Sequence, residues 1–215
     1  RMMNGLIQSW QRTKAKGLDD YKKVMALRGN TSNSTVFADT KGNIAYWHGN
    51  YVPKRDTKFN WGKVVDGTTT ATEWQGLHDA TETVQIINPS TGWIQNCNST
   101  PFTVSGEASP KKKDYPVYMA PDGENFRGIN AARVLSKENK FTIDKTIAAG
   151  YDTYLSAFEV LIPALVKAYE SFISSTHCYI KKLELLFIQS FHCYNIGGRM
   201  GTTFKCRHLY PQNLY

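Results

Sequence analysis

The spacing of apolar residues changes character several times along the chain. Over residues 4–28, Leu6, Ile7 and Trp10 lead into lysine-rich polar positions, which predicts helix. Gly17-Leu18-Asp19-Asp20 interrupts it, and Asp19 or Asp20 is placed to cap a second helix from Tyr21 to about Leu27. From Ser32 the period shortens. Residues 34–39 read as a strand, Asp39-Thr40-Lys41-Gly42-Asn43 as a hairpin turn, and residues 44–49 as the returning strand. A long loop rich in Gly, Thr and Lys follows, and loops of that length in a compact domain usually carry function. Residues 83–87 predict a third short strand. Beyond residue 125 helices dominate: one over 127–135, one ending near Gly150, and a strongly apolar one over 154–171 that Pro163 is expected to kink.

Between the third strand and the helices lies the stretch from Ile86 to Pro101. Ile86-Ile87 is an apolar lead-in, Asn88-Pro89 and Gly92 punctuate a turn, and Trp93-Ile94 predict a short strand. Asn96, Asn98, Ser99 and Thr100 then gather amide and hydroxyl groups in front of Pro101. Such groups need partners, so they either staple loops or meet a ligand.

Composition narrows the classes. The chain has 215 residues, 41% of them hydrophobic and 13% aromatic, which suits a folded domain rather than disorder. Its formal charge of +8 is scattered over Lys14-Ala15-Lys16, Lys22-Lys23, Lys54-Arg55, Lys111-Lys112-Lys113 and Lys181-Lys182. No single element carries a basic stripe with interleaved aromatics, so no nucleic-acid partner is expected. The first residues show no apolar run followed by a small-residue cleavage site, and no stretch reaches the ~20 apolar residues of a membrane helix; neither a signal peptide nor a membrane partner is expected. The four cysteines, Cys97, Cys178, Cys193 and Cys206, form no CxxC pair.

Residues 172–215 differ in kind from the rest. They hold three of the four cysteines, His177, His192 and His208, and Glu184 as their one acid. Cys178, His192, Cys193, Cys206 and His208 are potential metal ligands, but their spacing follows no zinc pattern. The plainer expectation is an atypical C-terminal tail, foreign to the domain formed by residues 1–171.

One ordered set of residues is specific. It runs from Asn33-Ser34-Thr35-Val36-Phe37-Ala38-Asp39 through Gly42-Asn43-Ile44-Ala45-Tyr46 to Gly49, Pro53 and Arg55. It continues through Trp74-Gln75-Gly76, Asn88-Pro89, Gly92-Trp93-Ile94-Gln95-Asn96-Cys97-Asn98 and Pro101. Together these resemble the penicillin amidase family of N-terminal-nucleophile hydrolases, which includes penicillin acylases and acyl-homoserine lactone acylases. The resemblance implies an α+β fold, part of an αββα sandwich with antiparallel strands and a helical section. It also implies cleavage of linear or cyclic N-acyl amides through an acyl-enzyme formed on an N-terminal serine, whose own α-amino group is the base. By the same resemblance Asn96 takes the family's oxyanion role, and Arg127, opening Arg127-Gly128-Ile129-Asn130-Ala131-Ala132-Arg133, orients that site. No cofactor is implied except calcium, which some members bind.

The sequence departs from the family in one decisive respect. Ser9, Ser32 and Ser34 are internal and offer no α-amino group, and no residue matches the family's serine. The expectation is therefore an internal large-chain fragment, inactive alone, whose partners are the remaining parts of the same hydrolase and an N-acyl amide small molecule. Cys97 is expected to pack. Family likeness puts the parent in the periplasm or outside the cell. The alternatives are a non-catalytic truncated gene product and a basic binding module.

Overall fold

The computed structural model describes residues 2–30, 33–138 and 140–173. They form two units, one ending at Asp152 and one beginning at Thr153. In the first, α1 (Met2–Arg12) and α2 (Leu18–Met25) precede a three-stranded antiparallel sheet of β1 (Ser34–Ala38), β2 (Ile44–His48) and β3 (Gln85–Ile87), in that order across the sheet. Then come single 3-10 turns, α3 (Phe126–Leu135) and α4 (Ile143–Gly150). The second unit contributes α5 (Ser156–Ile173), with Pro163 inside it. The expected α+β class holds, with helices around an antiparallel sheet. The expected tail and its cysteines and histidines lie outside the described residues.

A buried polar side chain of α1, Gln8, ties the helix pair together. Leu6 and Trp10, which suggested the helix, are both about two-thirds exposed, while Gln8 is buried. Its Oε1 accepts from Gly29 N at 2.6 Å and its Nε2 donates to Met25 Sδ at 3.5 Å. Gly29 lets the chain pass close to α1: a Cβ there would lie 2.6 Å from the Asn4 carbonyl oxygen. The start of α2 differs from expectation. Gly17 is its N-cap, and Asp19 and Asp20 lie in the first turn, where acidic residues meet the positive end of the helix. Asp20 instead reaches back, its Oδ2 accepting from Lys16 N at 3.3 Å.

Hairpin chemistry fixes the register. Asp39 Oδ1 accepts from Lys41 N and Asn43 N, and Gly42 takes φ 83°, so the turn closes with Ser34 opposite His48 and Ala38 opposite Ile44. Side chains two apart share a sheet face. Ala45 and Trp47 point to a core cluster with Met25, against which Leu18, Tyr21, Phe37 and Ile87 pack. Tyr46, His48 and Ser34 take the other face. Asn88, at φ 48°, ties the lead-in of the polar stretch to this hairpin, its Oδ1 accepting from Ile44 N at 2.9 Å.

Trp93 and Ile94 do not form the expected strand. Among the described residues no neighbouring strand offers them a ladder; Gln95 N donates to Val104 O, and the Trp93 carbonyl accepts from Ser105 Oγ at 2.8 Å. Single turns at Pro101–Thr103 and Gly106–Ala108 thus satisfy groups that a sheet would have satisfied. The long loop is tied down as well. Lys54 N donates to Gly76 O, Gln75 N to Lys54 O, and the Arg55 guanidinium lies 5.1 Å from the Trp61 ring centre.

Candidate active-site cleft

The loop after residue 95 is built around two asparagines in sequence alternation. Asn96 Oδ1 accepts from Asn98 N at 3.1 Å, an Asx turn that holds Asn98 at φ 54°, a backbone conformation asparagine tolerates better than most residues. Helix α3 then clamps this turn. Its N-cap, Asn125, receives Gly128 N on Oδ1 at 2.9 Å and donates through Nδ2 to both Cys97 O and Asn98 O at 3.1 Å. Gly128 admits the loop against the helix, since a Cβ there would lie 2.6 Å from Ser99 Oγ and 2.9 Å from Ser99 Cβ.

Arg127 follows from the same start of α3. Its Nη2 donates to Asn98 Oδ1 at 3.3 Å. The two residues singled out from sequence therefore sit on one rim, but Arg127 contacts the amide of Asn98 and not that of Asn96. Both amide oxygens are engaged, Asn96 Oδ1 by the backbone and Asn98 Oδ1 by the guanidinium. Their Nδ2 groups have no partner among the described residues. Cys97 is a half-buried free thiol whose carbonyl serves the cap.

Asn96 and Asn98 line one wall of a cleft of about 580 Å³, with Ser99 beside them and Arg12, Ser34, His48 and Asp122 around the rest. That volume suits a small molecule. On the sheet side, His48 Nε2 lies 2.9 Å from Asp122 Oδ2 and Nδ1 lies 2.9 Å from the Tyr46 hydroxyl. Ser34 Oγ is 3.0 Å from the same hydroxyl and 3.3 Å from Nδ1. Burial lowers the His48 pKa, and the Asp122 carboxylate only partly opposes it. At neutral pH the contact is thus an Nε2–H hydrogen bond to a carboxylate, not an ion pair. Nδ1 is then an acceptor, filled best by the closer Tyr46 hydroxyl, whose own pKa burial pushes up to about 12.

Sequence reasoning did not single out His48, Asp122 or Arg12. The register was a usable signal for the first, because a hairpin closed at Asp39–Asn43 sets Ser34 against His48. Asp122 and Arg12 reach the cleft through tertiary packing, which leaves no local signal. Among the described residues no group of three or more His, Cys, Asp or Glu side chains is arranged to hold a metal ion.

Comparison with known proteins adds three findings. A family profile described as penicillin amidase matches residues 2–186. Penicillin G acylase of Escherichia coli is 31% identical over 135 residues, covering 61% of this chain and 14% of that protein. Among solved structures, a thermostable penicillin G acylase from Alcaligenes faecalis superposes with a TM-score of 0.52 at 17% identity, over 66% of this chain and 24% of the other. The likeness at that identity is one of fold. The chain spans about a seventh of the curated relative and a quarter of the solved chain it matches.

Proposed function

The chain belongs to the penicillin amidase family, and from that premise we propose that it supplies the electrophile-stabilising wall of an amide hydrolase acting on N-acyl amides. The observation that carries this reading is the bond from Arg127 Nη2 to Asn98 Oδ1. A guanidinium held on the amide oxygen fixes the amide plane and leaves Nδ2–H as a donor beside the cleft, and it polarises that donor toward a developing negative charge. Of the two cleft asparagines, Asn98 has this support, while the oxygen of Asn96 serves the turn. Asn96 keeps a place in the proposal as the residue that sets the Asn98 backbone and as a second amide on the same wall.

The nucleophile of this reading lies outside these 215 residues. Ser34 and Ser99 are the serines that line the cleft, and both are mid-chain without an α-amino group. The reaction is then acyl transfer from the amide to the family's N-terminal serine, with the tetrahedral oxyanion facing the asparagine wall, followed by hydrolysis of the acyl-enzyme.

The test compares the chain alone with the chain extended upstream through the family's processed serine, using chromogenic phenylacetyl and acyl-lactone amides. Turnover is expected in the extended form only. There, Asn98→Ala should lower kcat about 10²–10³-fold, the loss typical of one oxyanion donor, and Asn96→Ala should cost less. Turnover by the chain alone refutes the placement of the nucleophile, and an inert extended form refutes the hydrolase reading.

A further inference from the structure

The sheet wall of the cleft carries a run of hydrogen bonds that the amide reading leaves unused. Antiparallel pairing sets Ser34 opposite His48, and Tyr46, two residues before His48, shares their face. Ser34 Oγ lies 3.0 Å from the Tyr46 hydroxyl and 3.3 Å from His48 Nδ1. The same hydroxyl lies 2.9 Å from Nδ1, and Nε2 lies 2.9 Å from Asp122 Oδ2. Ser34, His48 and Asp122 all line the cleft, as do Asn96 and Asn98. A hydroxyl, a neutral imidazole acceptor and a carboxylate on the far ring nitrogen are the parts of an activated serine, and that set is recognised by geometry rather than by order along the chain. Ser99, the other serine of the cleft, lacks such a base, since its Oγ has no hydrogen-bond partner among the described residues.

We propose that Ser34 is a nucleophile in its own right, which takes the acyl group of aryl esters within this cleft. The Tyr46 hydroxyl accepts the Ser34 proton as its own proton passes to His48 Nδ1, so the phenol stays neutral throughout. Asp122 meets the imidazolium so formed through Nε2–H. Burial, which pushes the Tyr46 pKa up to about 12, suits a phenol that relays a proton without ionising. Ser34 Oγ bonds to the ester carbonyl carbon, and the Nδ2 donors of Asn96 and Asn98 face the oxyanion. The C–O bond to the aryl group then breaks, the phenolate departs, and the proton held by His48 follows it to solvent. Water adds to the acyl group on Ser34 through the same relay, which releases the acid and restores the hydroxyl. Aryl esters are the substrate class because a phenolate leaves unaided, whereas the amine of an amide needs a proton donor and Nδ1 is covered by the Tyr46 hydroxyl.

The proposal does not depend on the N-terminal serine of the amide reading. The 215-residue chain is mixed with a fluorophosphonate, whose P–F bond an activated serine displaces with loss of fluoride, and the labelled peptide is identified by mass spectrometry. Ser34 should carry the label, and the same chain should turn over p-nitrophenyl acetate. Ser34→Ala should remove that label and lower ester turnover about a hundredfold or more, and His48→Gln should slow both steps by a similar factor, the range of one general base. The labelling rate of the parent chain should be level above pH 6.5 and fall below it as His48 takes up a proton, a step that His48→Gln should lose. Tyr46 and Asp122 are the titratable groups bonded to His48, and Arg12 is the other charged residue lining the cleft. Ser9→Ala, at an exposed position of α1 outside the cleft, should behave like the parent. Mapping the label on the parent needs no variant, so a misfolded substitution does not blunt the test. No label on Ser34, equal labelling of several serines, ester turnover unchanged by Ser34→Ala, or a labelling rate without the pH step would each overturn the proposal. Failure at Ser34 leaves the amide reading standing, because that reading is tested on amides with the extended form.

Discussion

Replacing Gly128 by alanine tests how tightly α3 is locked to the asparagine loop. An added Cβ would lie 2.6 Å from Ser99 Oγ, 2.9 Å from Ser99 Cβ and 2.6 Å from Glu124 Oε1. Glu124 is exposed and can swing away at the loss of one hydrogen bond, from Asn125 N to its Oε1, but Ser99 is 4% exposed and its Cβ moves only with the backbone of the loop. In an open helix interior, alanine in place of glycine would gain about 1 kcal/mol. Forcing a methyl group into a filled site costs about 1–3 kcal/mol. Gly128 is only three residues past the N-cap, where the propensity gain is smaller, so the net effect is a loss of about 1–2 kcal/mol. Urea unfolding followed by tryptophan fluorescence reads it, because all five tryptophans lie between residues 10 and 93, in the unit that contains the clash. The double variant Ser99→Gly with Gly128→Ala removes the atom that is struck. It should therefore be more stable than the two single changes predict, with a coupling of about 1 kcal/mol or more. A Gly128→Ala chain as stable as the parent, or additive behaviour of the pair, refutes the packing argument.

Asn125→Ala removes the cap of α3 and two donors to the loop. It should cost about 2–3 kcal/mol in urea unfolding, one part for the cap and the rest for the two bonds. Asn50 is fully buried, with Oδ1 receiving Asn30 N and Nδ2 donating to Met25 O, so Asn50→Ala should cost a similar amount by leaving those backbone groups unmet. His48 titrates below its ordinary value because charging it in place is unfavourable, so the unfolded chain takes up the proton first. Stability should therefore be full above pH 6.5 and fall as pH drops below it, and His48→Gln should flatten that part of the pH–stability curve. The lowered carboxylates, Glu82 at about 2 among them, lose their contribution only as pH falls below the ordinary carboxylate range, so the two windows are separable.

What could be read from sequence was local. The hairpin, its turn and the start of α3 rest on spacing and on residues that cap or turn through their own side chains: Asp39, Gly42 and Asn125. What it missed was tertiary. Trp93-Ile94 have strand-like side chains, but a strand exists only where another strand faces it, and here the Thr91–Ser105 and Ser105–Trp93 contacts close the chain on itself. The apolar residues of α1 marked a helix, but its buried side chain is Gln8, which meets Gly29 N and Met25 Sδ across 17 to 21 residues of chain. At the site, the motif singled out a loop that lines the cleft, with Asn96 in the oxyanion role. The choice between Asn96 and Asn98 depended on which amide Arg127 reaches, and that is a tertiary fact.

The cleft has two walls that are fastened independently. One is the sheet face, where Tyr46, His48 and Ser34 bond to one another over a register set by the hairpin turn. The other is the asparagine loop, whose backbone is clamped by Asn125 and whose amide is held by Arg127. His48 to Asp122 is the bond that spans from the first wall to the segment leading into α3. Changes at Asn125 or Gly128 should therefore move the amide donors without disturbing the hairpin, whereas a change at His48 acts on the sheet wall and its link to Asp122. The Arg12 side chain belongs to neither fastening, since it makes no hydrogen bond or ion pair among the described residues. This separation is what lets Asn125 and Gly128 report on the asparagine wall while His48 reports on the sheet wall.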